Sequence, residues 1–188
     1  MGERHAAAIV LAGGRGRRLG GVDKPGLRIG DRTLLSIALA AVAGAPVVVV
    51  GPDRDLPTGV RVVREDPPGT GPAAAIAAGL AALPVLTGHD LVVILAADLP
   101  AIDAETVRQL CVGVGARGGA VLVDAGGRRQ WLAGAWQHDA LVQAVRRRAS
   151  WSGRSVRELL GPVEPLELAG HEAATADIDT PDDWRRLG

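Results

Sequence analysis

Apolar positions along the chain gather in short, nearly unbroken runs instead of alternating with polar ones. Ala6 to Ala12, Pro46 to Val50 and Leu91 to Ala96 have strand length and no polar face, the pattern of strands covered on both sides in a parallel sheet. Between them, Thr33 to Ala43 and Pro72 to Leu83 are alanine- and leucine-rich segments of helical length, so strand and helix alternate. Asp103 is placed to cap a helix reaching about Val114, with Glu105 in its first turn. Val121 to Val123 and Gln130 to Trp136 read as strands, Asp139 to Arg148 as a helix, and Gly113 to Gly119 and Ser150 to Arg154 as loops. Thr180-Pro181-Asp182-Asp183 offers an N-cap, a first-turn proline and first-turn acids to a short terminal helix. The expected architecture is α/β, a three-layer sandwich with a mostly parallel, Rossmann-like sheet, formed by residues 1–188 as one domain. Open sheets of this kind bind ligands beyond the carboxyl ends of their strands, so the residues that follow the Ala6, Pro46 and Leu91 runs are expected to meet at one crevice.

Charge narrows the ligand. Lysine plus arginine number 21 and aspartate plus glutamate 21, a balance that gives a nucleic-acid partner no support and suits a small molecule. The lone Cys111 forms no internal disulfide and the four histidines have no zinc-site spacing, which points to a reducing compartment. The apolar run after Met1 to His5 is too short for a signal peptide or a membrane helix, and no stretch of about 18 apolar residues follows. A cytoplasmic protein without membrane contact is expected. Phe and Tyr are absent, so the core must be built from Ala, Val, Leu and Ile around four tryptophans. Cys111 reads as buried and inert, and His138 and His171 as surface residues.

Chemistry concentrates in the connection after the first run. Leu11 to Pro25 holds five glycines, Gly13, Gly14, Gly16, Gly20 and Gly21, and four cations, Arg15, Arg17, Arg18 and Lys24. Glycine lets backbone amides approach a phosphate, and Arg and Lys neutralise its charge, so the segment suits a triphosphate. It is not a P-loop, because Lys24 follows Asp23 and precedes Pro25. Nor is it the dinucleotide fingerprint, which needs glycine where Leu19 stands. Asp98, at the end of the Leu91 run, is either a Mg²⁺ carboxylate or a turn residue before Pro100. Asp66, before Pro67-Pro68, is either functional or a turn former.

The loop resembles that of the MobA-like nucleotidyltransferases, the molybdenum cofactor guanylyltransferases and their cytidylyltransferase relatives. Their pattern is Leu-Ala-Gly-Gly-x-Ser-x-Arg-Met-Gly, then Asp-Lys. Leu11 to Gly14, Arg18, Gly20, Asp23 and Lys24 match it, with Gly16 in place of the serine and Leu19 in place of the methionine. The resemblance continues through Glu65-Asp66, Gly71-Pro72, Ala97-Asp98-Leu99-Pro100 and Asp177-Ile178-Asp179-Thr180-Pro181. It implies the nucleotide-diphospho-sugar transferase type of fold and Mg²⁺-dependent transfer of a nucleoside monophosphate, GMP from GTP, to a phosphate-bearing acceptor of molybdopterin type. Leu11, Ala12, Gly13 and Gly14 would hold base and ribose, Asp66 the nucleoside end, Lys24 and Arg18 the phosphates, and Asp98 the metal. Gly71 would start a helix whose N-terminus faces the ligand. Arg128, Arg129, Trp131 and Trp136 lie on or near a late strand that would border the acceptor, although a tryptophan is more often core than ligand platform. Arg15 and Arg17 are expected to face solvent.

The chain departs from the family at Gly51, usually asparagine, at Ala75, usually glycine, and at Asp177 and Asp179, usually asparagines in guanylyltransferases. Asp179 is expected either to join Asp98 on the metal or, with Asp177, to favour the start of the last helix. A cytidylyltransferase on the same acceptor and a sugar-phosphate nucleotidyltransferase are the alternative enzymes. A non-catalytic nucleotide-binding regulatory domain is the alternative of another class, against which the retention of both Lys24 and Asp98 argues.

Overall fold

In the computed structural model, residues 6–13, 23–86 and 90–170 are described. The apolar runs form the centre of a seven-stranded sheet. Strand β1 (Ala6–Leu11) lies between β4 (Val47–Val50) and β6 (Leu91–Ala96), parallel to both. The β5 strand (Arg61–Val63) extends the sheet beyond β4. On the other side follow β8 (Arg129–Gln137), β7 (Gly119–Val123) and β9 (Leu166–Ala169), giving the order β5-β4-β1-β6-β8-β7-β9. All neighbours are parallel except those of β8, which runs antiparallel to β6 and β7.

Successive side chains of β1 point to opposite faces, and each face has its own core. Ala8 and Val10 pack with Leu34, Leu35 and Ile37 of α1 (Leu34–Ala41) and with Val107 and Leu110 of α3 (Ala104–Gly113). Ile9 and Leu11 pack with Ile76 of α2 (Pro72–Ala82), Leu141 of α4 (His138–Arg146) and Leu159 and Leu160 of α5 (Val156–Leu160). This is the expected three-layer α/β sandwich with a mostly parallel sheet. Thr33 and Asp103 cap α1 and α3, their side chains accepting the Ser36 and Thr106 amides at 3.0 and 2.8 Å.

Beyond the elements that the apolar pattern predicts, the chain forms a two-stranded ribbon of β2 (Arg28–Ile29) and β3 (Arg32–Thr33), the edge strands β5 and β9, and α5. Just beyond the expected loop over 150–154, Ser155 and Glu158 form a reciprocal capping box that starts α5. Among the described residues no helix is long and apolar enough to cross a membrane.

Helix α2 sits unusually close to the sheet because Gly79 has no side chain. A Cβ there would stand 2.6 Å from Ile9 Cγ2 and 3.0 Å from Val50 Cγ2. The Ile9 methyl is attached at a branched carbon and has little room to turn away. Gly79→Ala should therefore destabilise the protein, overpacking at about 1–3 kcal/mol exceeding a helix-propensity gain of about 1 kcal/mol. Urea titration should show a lower midpoint at unchanged slope; a higher midpoint would mean that α2 shifts without cost.

Candidate active site

Four parallel strands stop at one level. Ala12 donates its N–H to the Val50 carbonyl at 2.8 Å, Gly51 to Val63 at 2.9 Å, and Ala97 to Leu11 at 2.9 Å. The segments that continue from β1, β4 and β6 therefore leave the sheet side by side, as the crevice expectation required. Asp98 stands one residue past the Ala97 contact. Its carboxylate is 3.8 Å from Lys24 Nζ, and the two side chains are only 28% and 17% exposed. Residues far apart in sequence thus place a cation and an anion together at the strand ends.

Lys24 is held by its own local structure. It opens a single 3₁₀ turn, Lys24–Gly26, with Pro25 buried beneath it. Gly26 donates to the Asp23 carbonyl and Leu27 to the Lys24 carbonyl, each at 3.0 Å, and Leu34 at the start of α1 donates to Leu27 at 2.9 Å. The β2–β3 ribbon spans the interval, so the turn is tied to a buried helix.

The backbone expected to hold base and ribose is partly engaged within the protein. Leu11 accepts from Ala97, Ala12 donates to Val50, and the Ala12 carbonyl accepts Arg54 Nη2 at 3.3 Å. The exposed Gly13 is then the described residue of this segment best placed to meet a ligand; Gly14 and Arg18 lie outside the described residues. So do Asp179, Asp177, Arg15, Arg17, His171 and the expected terminal helix.

Asp66 is exposed, beyond the end of β5, in a turn where Glu65 accepts the Gly69 amide at 2.8 Å and Thr70 Oγ1 donates to Pro67 at 2.9 Å. That turn delivers Gly71, whose φ of +101° suits glycine, to the cap position of α2. Gly153 donates to the Thr70 carbonyl at 2.7 Å and ties the loop before α5 to this point. Ala75 is buried inside α2, facing the sheet core.

Trp136 is fully buried and contributes to the core, the commoner fate of a tryptophan, its ring filling the space that Gly119 leaves; it borders no surface. Trp131 is half-buried, with the Arg129 guanidinium 5.4 Å above its ring, and Arg129 also pairs with Glu167 at 2.6 Å. His138 is not a surface residue: it begins α4 with its amide donated to Asp90, and its side chain is about 21% exposed. Cys111 is half-buried, not buried, although burial still pushes its thiol pKa up, which keeps it a poor nucleophile. Arg54, in the turn after β4, is a further residue at this point that no local pattern in the sequence marks.

Solved structures with this fold include 2-C-methyl-D-erythritol 4-phosphate cytidylyltransferase of Thermus thermophilus, at TM-score 0.71 and 21% identity over 97% of each chain, a likeness of fold alone. Rv0371c of Mycobacterium tuberculosis H37Rv superposes at TM-score 0.75 with 25% identity over 98% of each chain. The fold is that of the nucleotidyltransferases, and the chain is an enzyme of that class. Residues 8–167 match the MobA-like NTP transferase domain, and the chain belongs to that family. A relative from Mycobacterium avium (strain 104), named "Probable molybdenum cofactor guanylyltransferase", is 30% identical over 96% of this chain and 94% of its own.

The departure at Gly51 has a steric basis. A Cβ there would stand 2.8 Å from the Ala12 carbonyl carbon and oxygen and 3.1 Å from the Gly13 nitrogen, all backbone atoms. Neither alanine nor the family's asparagine fits without moving β4 from β1. Gly51→Ala should lower unfolding free energy by about 1–3 kcal/mol and speed exchange of the Ala12 amide. Unchanged exchange by NMR would show that the strand ends are not in contact as described.

Proposed function

We propose that the chain transfers a nucleoside monophosphate, GMP from GTP foremost, to a phosphate-bearing acceptor of molybdopterin type, with Mg²⁺ held at Asp98. The observation that carries this reading is the pairing of Lys24 with Asp98 at the common end of β1 and β6. Base and acceptor follow the name of the Mycobacterium avium relative. Asp98 offers the hard oxygen that Mg²⁺ prefers, and among the described residues no cluster of three or more metal-binding side chains surrounds it. One carboxylate completed by water and substrate phosphate oxygens suits Mg²⁺; a closed protein cage is not needed. Asp179 is proposed to assist, directly or through water.

Bound Mg²⁺ would neutralise charge on the triphosphate. Lys24 would sit against the phosphate chain and stabilise the charge that grows on departing pyrophosphate. Gly13 would admit base and ribose against backbone, with Asp66 at the nucleoside end and Arg18 adding positive charge. The acceptor's phosphate oxygen attacks the α-phosphorus and pyrophosphate leaves in line, so no protein nucleophile is required and alignment supplies most of the rate. A cytidylyl donor is the second reading, supported by Asp177 and Asp179, which cytidylyltransferase relatives share.

Melting the protein with each of the four nucleoside triphosphates, with and without Mg²⁺, separates these readings, because a ligand that binds only the folded state raises its stability. GTP should give the largest shift; a larger shift with CTP would favour the second reading. Lys24→Ala should lower turnover about 100-fold or more with little change in melting temperature. Near-normal turnover would remove Lys24 from the phosphate site. Asp98→Asn should abolish metal-dependent transfer while sparing most metal-free nucleotide affinity. Activity at ordinary Mg²⁺ would leave Asp98 a turn residue.

A further inference from the structure

Arg54 bridges the two ends of the connection that leads from β1 to Lys24. Its Nη2 donates to the Ala12 carbonyl at 3.3 Å and to Asp23 Oδ1 at 3.1 Å, and its Nη1 donates to Asp23 Oδ2 at 3.4 Å. Ala12 is the residue that follows β1, and Asp23 directly precedes Lys24. The cation is the inner partner: its side chain is 14% exposed, against 61% for Asp23. Nε is buried without a hydrogen-bond partner.

Stability alone gives a weak reason for this arrangement. An ion pair to an exposed carboxylate contributes little, and a buried N–H without a partner opposes folding. Two glycines serve the same contact. Gly51 lets the turn that carries Arg54 cross the Ala12 backbone, where a Cβ would clash. Gly26 leaves room for the Asp23 carboxylate, which a Cβ would meet at 2.6 Å. The guanidinium is a rigid planar fork, so it fixes directions as well as distance.

We infer that Arg54 is a positioning residue for Lys24: acting through Asp23, it sets the place and direction from which the lysine reaches the phosphate chain. This rests on the nucleotidyl-transfer reading for its catalytic consequence, while the clamp itself is a property of the fold. Lysine cannot replace Arg54, because an ammonium on a flexible stem is a point charge and cannot hold both oxygens of Asp23 and the Ala12 carbonyl in one plane.

The test compares Arg54→Ala, Arg54→Lys, Asp23→Ala and the double variant Arg54→Ala with Asp23→Ala. Each single substitution should lower kcat about tenfold or more and change the KM for the nucleoside triphosphate about threefold or less, since misplacement of a reacting group costs rate before binding. The double variant should be no worse than the poorer single, as expected of residues acting as one unit. Unchanged kcat in Arg54→Ala, restored kcat in Arg54→Lys, or losses that multiply in the double variant would each overturn the inference. Should Arg54→Ala not fold, Arg54→Lys and Asp23→Ala carry the kcat comparison. Exchange of the Gly26 and Leu27 amides, measured without substrate, should quicken in every variant, and unchanged exchange would overturn the clamp. If the wild-type protein transfers no nucleotide, the functional reading fails, and amide exchange still decides the clamp.

Discussion

Strand β1 is hydrogen-bonded along both edges to parallel neighbours, and its last residue, Leu11, is level with Val50 and Ala96. Everything at the crevice depends on that register. A one-residue slip of a strand would turn its side chains to the opposite face, exchanging Ile9 and Leu11 with Ala8 and Val10 between the two helical layers. Because both layers are packed, the register is over-determined, and the three segments that leave the sheet at Ala12, Gly51 and Ala97 are fixed relative to one another. Asp98 follows directly on the end of β6, whereas Lys24 returns from a long excursion, held by the 3₁₀ turn and the ribbon, with Arg54 on the neighbouring Asp23.

Glycine tightens the frame where larger residues would spread it. Gly79 lets α2 approach β1 and β4, and Gly51 lets β4 approach the end of β1. With no Phe or Tyr in the chain, the interior is made of short aliphatic side chains around a few tryptophans, and such a core transmits small displacements directly to backbone. Helix α2, capped by Gly71, packs on β1 and β4 through Gly79.

The central strands and α1, α2 and α3 were legible because each is long enough to show its pattern and is buried on the faces that pattern implies. The elements that were not legible are short or peripheral. Strands β2 and β3 have two residues each, β5 has three, and β9 alternates partly buried leucines with exposed Glu167 and Ala169. For α5 the signal was present in Ser155 and Glu158, but five residues are too few for periodicity. At the site, the glycine-rich loop marked Lys24 and the end of an apolar run marked Asp98. Arg54 carries no local signature. Its meaning arises only when Gly51 is laid against Ala12 and Asp23 is brought back beside them, contacts between residues distant in sequence.

The reversal of β8 divides the rim of the sheet into two unlike halves. Ala133 pairs with Leu95, so Trp131 and Arg129, at the start of β8, stand at the end of the sheet where β6 finishes, and α4 begins at the opposite end, beside Asp90. Around β1, β4 and β6 the rim is composed of closely fitted backbone that fixes where Lys24 and Asp98 stand. Around β8 it is composed of side chains, Arg128, Arg129 and Trp131, carried at the start of the strand. Inheritance acts differently on the two halves: the first can change only by rebuilding the fold, whereas the second can change its preference one substitution at a time.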